Sequence, residues 1–134
     1  MAARYLLDTN TVSYILKGNM PRVRQRLART PMEDVCISVI TEAELRFGLA
    51  RRPQATKLRL MVEEFLMRVD VLPWDSDAAE HYAEVRAQVE ASGTPMGNMD
   101  LMIAAQALAE GATLVTSDRS FQRIKQLKIE DWTK

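Results

Sequence analysis

One cysteine, one histidine and no excess of either charge are what this 134-residue chain offers where many proteins keep their chemistry. The single thiol, Cys36, excludes an internal disulfide and a cysteine-built metal site. Flanked by Val35 and Ile37, it reads as a buried strand thiol rather than a nucleophile. The single histidine, His81, falls mid-helix, away from the acids discussed below, and reads as a surface or partly packed residue. Lys plus Arg and Asp plus Glu number 18 each, for a formal net charge of 0. That balance gives no hint of a nucleic-acid partner and does not exclude one, because local distribution matters more than the sum. No basic segment followed by an apolar one opens the chain as a secretory signal would. No apolar run reaches the ~18 residues of a membrane span, so no membrane contact and a cytoplasmic location are expected. What remains is an ordinary globular composition, 47% hydrophobic and 27% charged, sized for one domain over residues 1–134.

Short apolar runs alternate with helical patterns along the chain. Residues Arg4 to Leu7 read as a first strand, and Asp8 to Lys17 as a helix stopped by Gly18-Asn19. Pro21 opens a second helix with Val23 and Leu27 inward. Its other face, Arg22, Arg26 and Arg29, reads as solvated. Val35 to Ser38 is the second strand. A helix over Ile40–Ala50 follows almost at once, and after the break at Arg51-Arg52-Pro53 an amphipathic helix runs from Gln54 to Met67. Val69 to Leu72 is the third strand, followed by a helix over Asp75–Glu90 and a turn-rich loop over Ser92–Gly97. An alanine-rich helix over Asn98–Glu110 leads into a fourth strand, Ala112 to Thr116. A short helical segment then carries Phe121 and Ile124, and Lys128 to Trp132 adds a short last strand. The alternation predicts a three-layer α/β domain with a mainly parallel sheet of four to five strands. Right-handed crossovers place every strand-to-helix turn on one edge of it. Trp74, Trp132 and the eight methionines read as packing residues rather than a base-stacking platform.

Four acids are predicted at that edge. Asp8 ends the first strand. Asp118 follows the fourth by one serine. Glu44 lies on the helix after the second strand, on a stripe with Ile40, Ala43 and Phe47 that reads as inward, although Leu45 and Leu49 make the opposite face apolar too. Asp100 lies in the first turn of its helix, on a face with Ile103, Ala104 and Ala107. Each has a plain structural explanation. Asp8 suits a helix cap, Asp118 a turn or a cap, Asp100 a helix dipole, and Glu44 can reach solvent. Together they point to a cation, because carboxylates gathered at one buried edge repel and desolvate unless something neutralises them. A cluster of carboxylate oxygens without cysteine or clustered histidine selects hard cations, Mg²⁺ or Mn²⁺. Such an ion would polarise a phosphodiester and activate a water. Thr9, Asn10, Thr116 and Ser117 add small donors. Glu42, two positions before Glu44, reads as peripheral. A receiver domain would need an acidic pair after its first strand and a late lysine. A haloacid-dehalogenase-type phosphatase would need an aspartate at Asn10. Neither pattern is met.

Four segments, LLDTN, SVITEAELRFG, GNMDLMIAAQALAEGATLVTSD and RSFQRIKQLKIEDW, together resemble the PIN domain, most closely the VapC-type toxins of bacterial type II toxin–antitoxin pairs. The resemblance spans nearly the whole chain in order. It carries the family's first aspartate onto Asp8. Its glutamate, in a T-x-x-E-L-x-x-G pattern, falls on Glu44 by way of Thr41, Leu45 and Gly48. Its central aspartate, ahead of Ile103-Ala104-Ala105, falls on Asp100, and its fourth acid on Asp118. Thr116 matches a small polar residue common beside the site. Many relatives also carry an acid immediately before the phenylalanine; here that place is Ser120.

The resemblance implies a PIN-like α/β/α domain with Asp8, Glu44, Asp100 and Asp118 as both catalytic residues and metal ligands. It implies an Mg²⁺- or Mn²⁺-dependent endoribonuclease acting on structured RNA, tRNA or rRNA. It further implies a homodimer, and a cognate VapB-type antitoxin that blocks the acidic site in a hetero-oligomer, with no direct DNA reading by this chain. The helices over Ile40–Ala50 and Gln54–Met67 are its expected dimer or antitoxin surfaces. Arg22, Arg24, Arg26, Arg46, Arg51, Arg52, Arg119 and Arg123 are candidates for phosphate contacts. A PIN nuclease of general RNA processing and a non-catalytic PIN module are the alternatives.

Overall fold

Alternation along three-residue strands divides this molecule into two packed layers on either side of a sheet. In the computed structural model, which describes residues 4–134, β1 runs over Tyr5–Leu7. Its Leu6 packs to one side and Leu7 to the other, both fully buried, which stabilises by about 1.5–3 kcal/mol each. The other strands are β2 (Val35–Ser38), β3 (Asp70–Leu72), β4 (Thr113–Val115) and β5 (Ile129–Glu130). They form one sheet in the order β3-β2-β1-β4-β5, and every pairing is parallel. The expected three-layer α/β architecture with a parallel sheet is therefore found, with five strands.

The helices are α1 (Thr9–Lys17), α2 (Pro21–Ala28), α3 (Val39–Ala50), α4 (Thr56–Arg68), α5 (Ser76–Ala91) and α6 (Asn98–Glu110). Short 3₁₀ segments cover Met32–Asp34 and Arg119–Arg123. Leu7, Ile37 and Val115 share a core with residues of α1, α2, α3 and α4. Leu6, Cys36 and Leu114 share one with α5 and α6. Gly18 and Gly111 close α1 and α6 in the left-handed conformation, at φ 69° and 68°, where a side chain would be strained.

Two expectations fail. The Ile40–Ala43–Phe47 stripe of α3 faces inward only at Ile40, which packs against the core; Ala43 is exposed and Phe47 is 62% exposed. The opposite apolar set wins, with Thr41 and Leu49 buried and Leu45 against the core. The methionines are not uniformly packing residues either, since Met67 is 87% and Met99 43% exposed. Trp132 is buried as expected, and so is Cys36, whose thiol burial pushes up to about 12. No described helix is long and apolar enough to cross a membrane.

Candidate active site

The connection from β1 crosses to β2 on one side of the sheet, while β4 pairs on the other. β1 and β4 therefore flank the point where strand order reverses. The carboxyl ends of strands at such a point are the usual place for a ligand in an open α/β sheet. Asp8 directly follows β1 there, and Asp118 follows β4.

Asp8 is 5% exposed and does two jobs. Its N–H donates to the Val115 carbonyl at 3.1 Å, adding a rung beyond β1. Its Oδ1 accepts the Thr11 N–H at 2.8 Å and caps α1. Thr11 is fixed in turn, its hydroxyl donating to the same Val115 carbonyl at 3.1 Å. Cap and site are thus one residue. Burial pushes the Asp8 carboxyl above its usual range and nearby Asp118 adds to the rise, against the pull of the Thr116 hydroxyl and Thr11.

Glu44 reaches the edge from the flank of α3. The Thr9 hydroxyl donates to its Oε1 at 2.5 Å, and the buried Thr41 hydroxyl lies 3.1 Å from that of Thr9. With Thr9 donating to Glu44, Thr41 donates to Thr9, so two hydroxyls in series orient one carboxylate. Asp100, in the first turn of α6, is half-buried. Asp118 is exposed. Its Oδ1 accepts the Ser120 N–H at 2.9 Å, capping the 3₁₀ segment, and its own N–H donates to Thr116 Oγ1 at 3.0 Å.

The structure brings all four acids within electrostatic reach. Burial raises the Asp100 carboxyl above its ordinary value, and Asp118, Glu44 and Asp8, in that order, raise it further. No ion pair among the described residues involves any of the four. Carboxylates that repel one another at a partly buried edge, with no ion-pair partner among the described residues, fit an exogenous cation. The donors are all oxygens, which suits Mg²⁺ or Mn²⁺ rather than a thiophilic metal. Among the described residues, however, no three acidic, histidine or cysteine side chains stand close enough to grip one ion as they are. The edge is of the right chemistry but more open than a closed coordination shell.

A family model described as "PIN domain" matches residues 5–127. This chain belongs to the PIN-domain family. It is 37% identical to the tRNA(fMet)-specific endonuclease VapC of Salmonella typhimurium, over 96% of this chain and 98% of that protein. It is 33% identical to ribonuclease VapC2 of Rickettsia felis, over 97% of this chain and 98% of that one. Among solved structures, the DNA-bound VapBC from Salmonella typhimurium superposes with a TM-score of 0.90 at 36% identity, covering 98% of this chain and 99% of that one.

Around its acids this PIN domain carries a buried polar contact that sequence inspection misses. Ser38 Oγ, which caps α3 by accepting the Ile40 N–H at 3.0 Å, donates to Gln106 Oε1 at 2.6 Å. Gln106 Nε2 donates to the Pro73 carbonyl at 2.7 Å. One glutamine thus ties the start of α3, which carries Glu44, to α6, which carries Asp100. A polar residue in the otherwise apolar stretch Leu101–Ala107 is the only local sign of it.

The candidate phosphate-binding arginines divide. Arg46 pairs with Glu42 at 2.6 Å, one turn away on the same helix. Arg24 donates to the Ile15 carbonyl and Arg123 to that of Thr94. Arg22, Arg51, Arg52 and Arg119 enter no ion pair among the described residues.

Proposed function

We propose that this PIN domain is an Mg²⁺- or Mn²⁺-dependent endoribonuclease, the toxin of a type II toxin–antitoxin pair. The observation that carries the reading is the uncompensated four-acid edge at the strand-order switch. Its relatives include proteins named as VapC endonucleases and ribonucleases, and the solved structures it resembles include VapBC complexes. Asp8, Asp100 and Glu44 would hold the metal ion, with Asp118 beside them at the open rim. A bound divalent ion supplies Lewis-acid polarisation of the phosphodiester and a water of lowered pKa. The chain's own residues do the positioning. The cap and the rung to Val115 fix Asp8. The Thr41–Thr9 pair fixes the Glu44 carboxylate, and the Thr116 hydroxyl favours ionised Asp8.

An antitoxin segment has room beside this edge. A depression of about 220 Å³ between α1, α3 and α4 is lined by Thr9 and Glu44 as well as Leu45, Leu49, Leu58 and Val62. An apolar segment of a partner seated there would reach Glu44 directly. Exposed Phe47 (62%), Leu60 (67%) and Met67 (87%) on α3 and α4 leave apolar surface for a homodimer or an antitoxin.

The test is cleavage of total tRNA and of ribosomal RNA with Mg²⁺ or Mn²⁺, wild type beside Asp8→Asn and Asp100→Asn. Loss of cutting in both variants, with circular dichroism unchanged, is expected. Full activity of both would overturn the reading.

A further inference from the structure

Read from sequence alone, the Arg22–Arg26–Arg29 face of α2 is a solvated charge stripe. The structure adds the chain's last residues to it. Arg22, Gln25, Arg26, Arg29, Trp132 and Lys134 line a depression of about 310 Å³, and no Asp or Glu side chain is among its lining residues. The three arginines fall at i, i+4 and i+7, on one side of an eight-residue helix and its C-cap, and the helix itself contains no acid. Like charges at that spacing repel. Helix-dipole complementarity accounts for Arg26 and Arg29 near the C-terminus but not for Arg22 in the first turn, where a cation is disfavoured.

One of these cations is held in place. Arg26 Nη2 pairs with Glu130 Oε1 at 2.7 Å, and its guanidinium lies 5.4 Å from the Trp132 ring centroid and 5.9 Å from that of Tyr5. Trp132 Nε1 donates to the same Glu130 oxygen at 3.1 Å. Trp132 is 2% exposed, so it cannot stack a base; it holds Arg26. Arg22, Arg29 and Lys134 surround this fixed point and make no ion pair among the described residues.

The sheet register locates the cluster. Leu7 pairs with Val115, and Val115 with Glu130. Glu130 therefore lies two strand spacings, about 10 Å, from Leu7, the residue before Asp8. Arg26 meets Glu130 on the face where Leu7 and Val115 point, in the layer of α2. The cationic depression thus flanks the acidic edge at the same level of the sheet.

We propose that this depression is a second RNA contact, which grips backbone phosphates of a structured RNA away from the bond that is cut. The inference rests on the nuclease reading above. Three cations that make no ion pair among the described residues, set around an Arg26 already held by Glu130 and without a reachable base-stacking ring, recognise phosphate and not sequence, so the contact adds affinity and orientation rather than base choice. It also distinguishes substrates by extent, because a short single strand lying only across Asp8 and Asp100 would not reach α2.

The experiment compares wild type with the triple variant Arg22→Gln/Arg29→Gln/Lys134→Gln, leaving the stacked Arg26 in place. Binding of bulk tRNA without divalent metal is measured against salt, and cleavage of tRNA and of a short single-stranded RNA is measured with Mg²⁺ or Mn²⁺. The salt slope of log K for tRNA should fall by about 2, and KM for tRNA should rise about tenfold with kcat unchanged. Both constants for the short RNA should stay the same. Equal losses on tRNA and the short RNA, or an unchanged salt slope, would overturn the proposal. So would a loss confined to binding of an acidic peptide such as polyglutamate. If wild type cuts no RNA but tRNA binding still depends on the three cations and on salt, the nuclease reading falls and the contact stands. If wild type cuts and the triple variant matches it throughout, the contact falls alone.

Discussion

At the end of the sheet where the strands begin, Asp70 and Glu110 are joined by one guanidinium. Arg4 Nη2 lies 2.7 Å from Asp70 and its Nη1 2.8 Å from Glu110. At the end where the strands finish, Asp8, Glu44, Asp100 and Asp118 lie within electrostatic reach of one another, and no ion pair among the described residues involves them. Both ends gather carboxylates from distant parts of the sequence. Only the first supplies its own counter-charge, and there the acids serve the fold. The second leaves its charge open, which is costly unless something from outside supplies the balance. An unbalanced cluster on a rigid scaffold is the better marker of chemistry than carboxylates as such.

The contrast can be broken, and the largest effect should come from the open end. Asp8→Asn or Asp100→Asn should lower RNA cleavage by about 10³-fold, the rate equivalent of several kcal/mol of lost metal-dependent stabilisation. Single-turnover cleavage with Mg²⁺ or Mn²⁺ reads this directly. Next, Thr9→Val removes the hydroxyl that orients Glu44 while keeping the helix, and should cost about 10-fold in metal affinity or rate. A metal titration of activity separates the two, and an unchanged titration would mean that Glu44 needs no orienting.

At the closed end the expected effect is on stability alone. Arg4→Gln frees Asp70 and Glu110, both partly exposed, and should lower stability by about 1 kcal/mol. Cleavage at a temperature where the variant is folded should not change. A fall in cleavage matching that of Asp8→Asn would erase the distinction between the two ends.

The smallest effect concerns pH. The carboxyls of Asp8 and Asp100 are raised in the folded protein from an ordinary value of 3.8. For an acid so raised, the stabilising contribution is complete below the unfolded value and is lost as pH climbs through the folded one. Metal-free wild type should therefore lose stability, relative to Asp8→Asn, as pH rises from about 3.8 toward neutrality. Asparagine still caps α1, so the comparison isolates charge. Thermal melts in EDTA should show the variant melting higher at neutral pH and the two converging in acid. Added Mg²⁺ should raise the wild-type melting temperature and leave that of the variant nearly unmoved. A variant that melts lower at neutral pH would mean that Asp8 is not electrostatically burdened.

The acids at strand ends and in first turns were legible because the signal is local. Tyr5-Leu6-Leu7 followed by Asp8 announces a strand and its exit, and Asn98 to Glu110 announces a helix with Asp100 in its opening turn. Glu44 was legible as a candidate but not in its setting. α3 has two apolar stripes, and only packing against Thr9 and the α1 layer decides that Thr41 and Leu49 turn inward while Phe47 turns out. Gln106 was not legible at all, since its partners Ser38 and Pro73 lie 68 and 33 residues away. The cationic depression escaped for the same reason: nothing near Arg26 in sequence foretells that Glu130 and Trp132 return to it.

The pairing of β1 with β4 has a further consequence, in time rather than space. Tyr5 to Leu7 meet Thr113 to Val115 across more than one hundred intervening residues, and Asp118 follows only after that. A chain emerging from the ribosome amino end first therefore carries Asp8 long before the strand that seats it exists. Contacts of such long sequence separation form late, and domains complete themselves as units. The acidic pocket is thus absent from every nascent fragment that stops before β4. A ribosome making this protein is not exposed to its finished edge until β4 and Asp118 have been made.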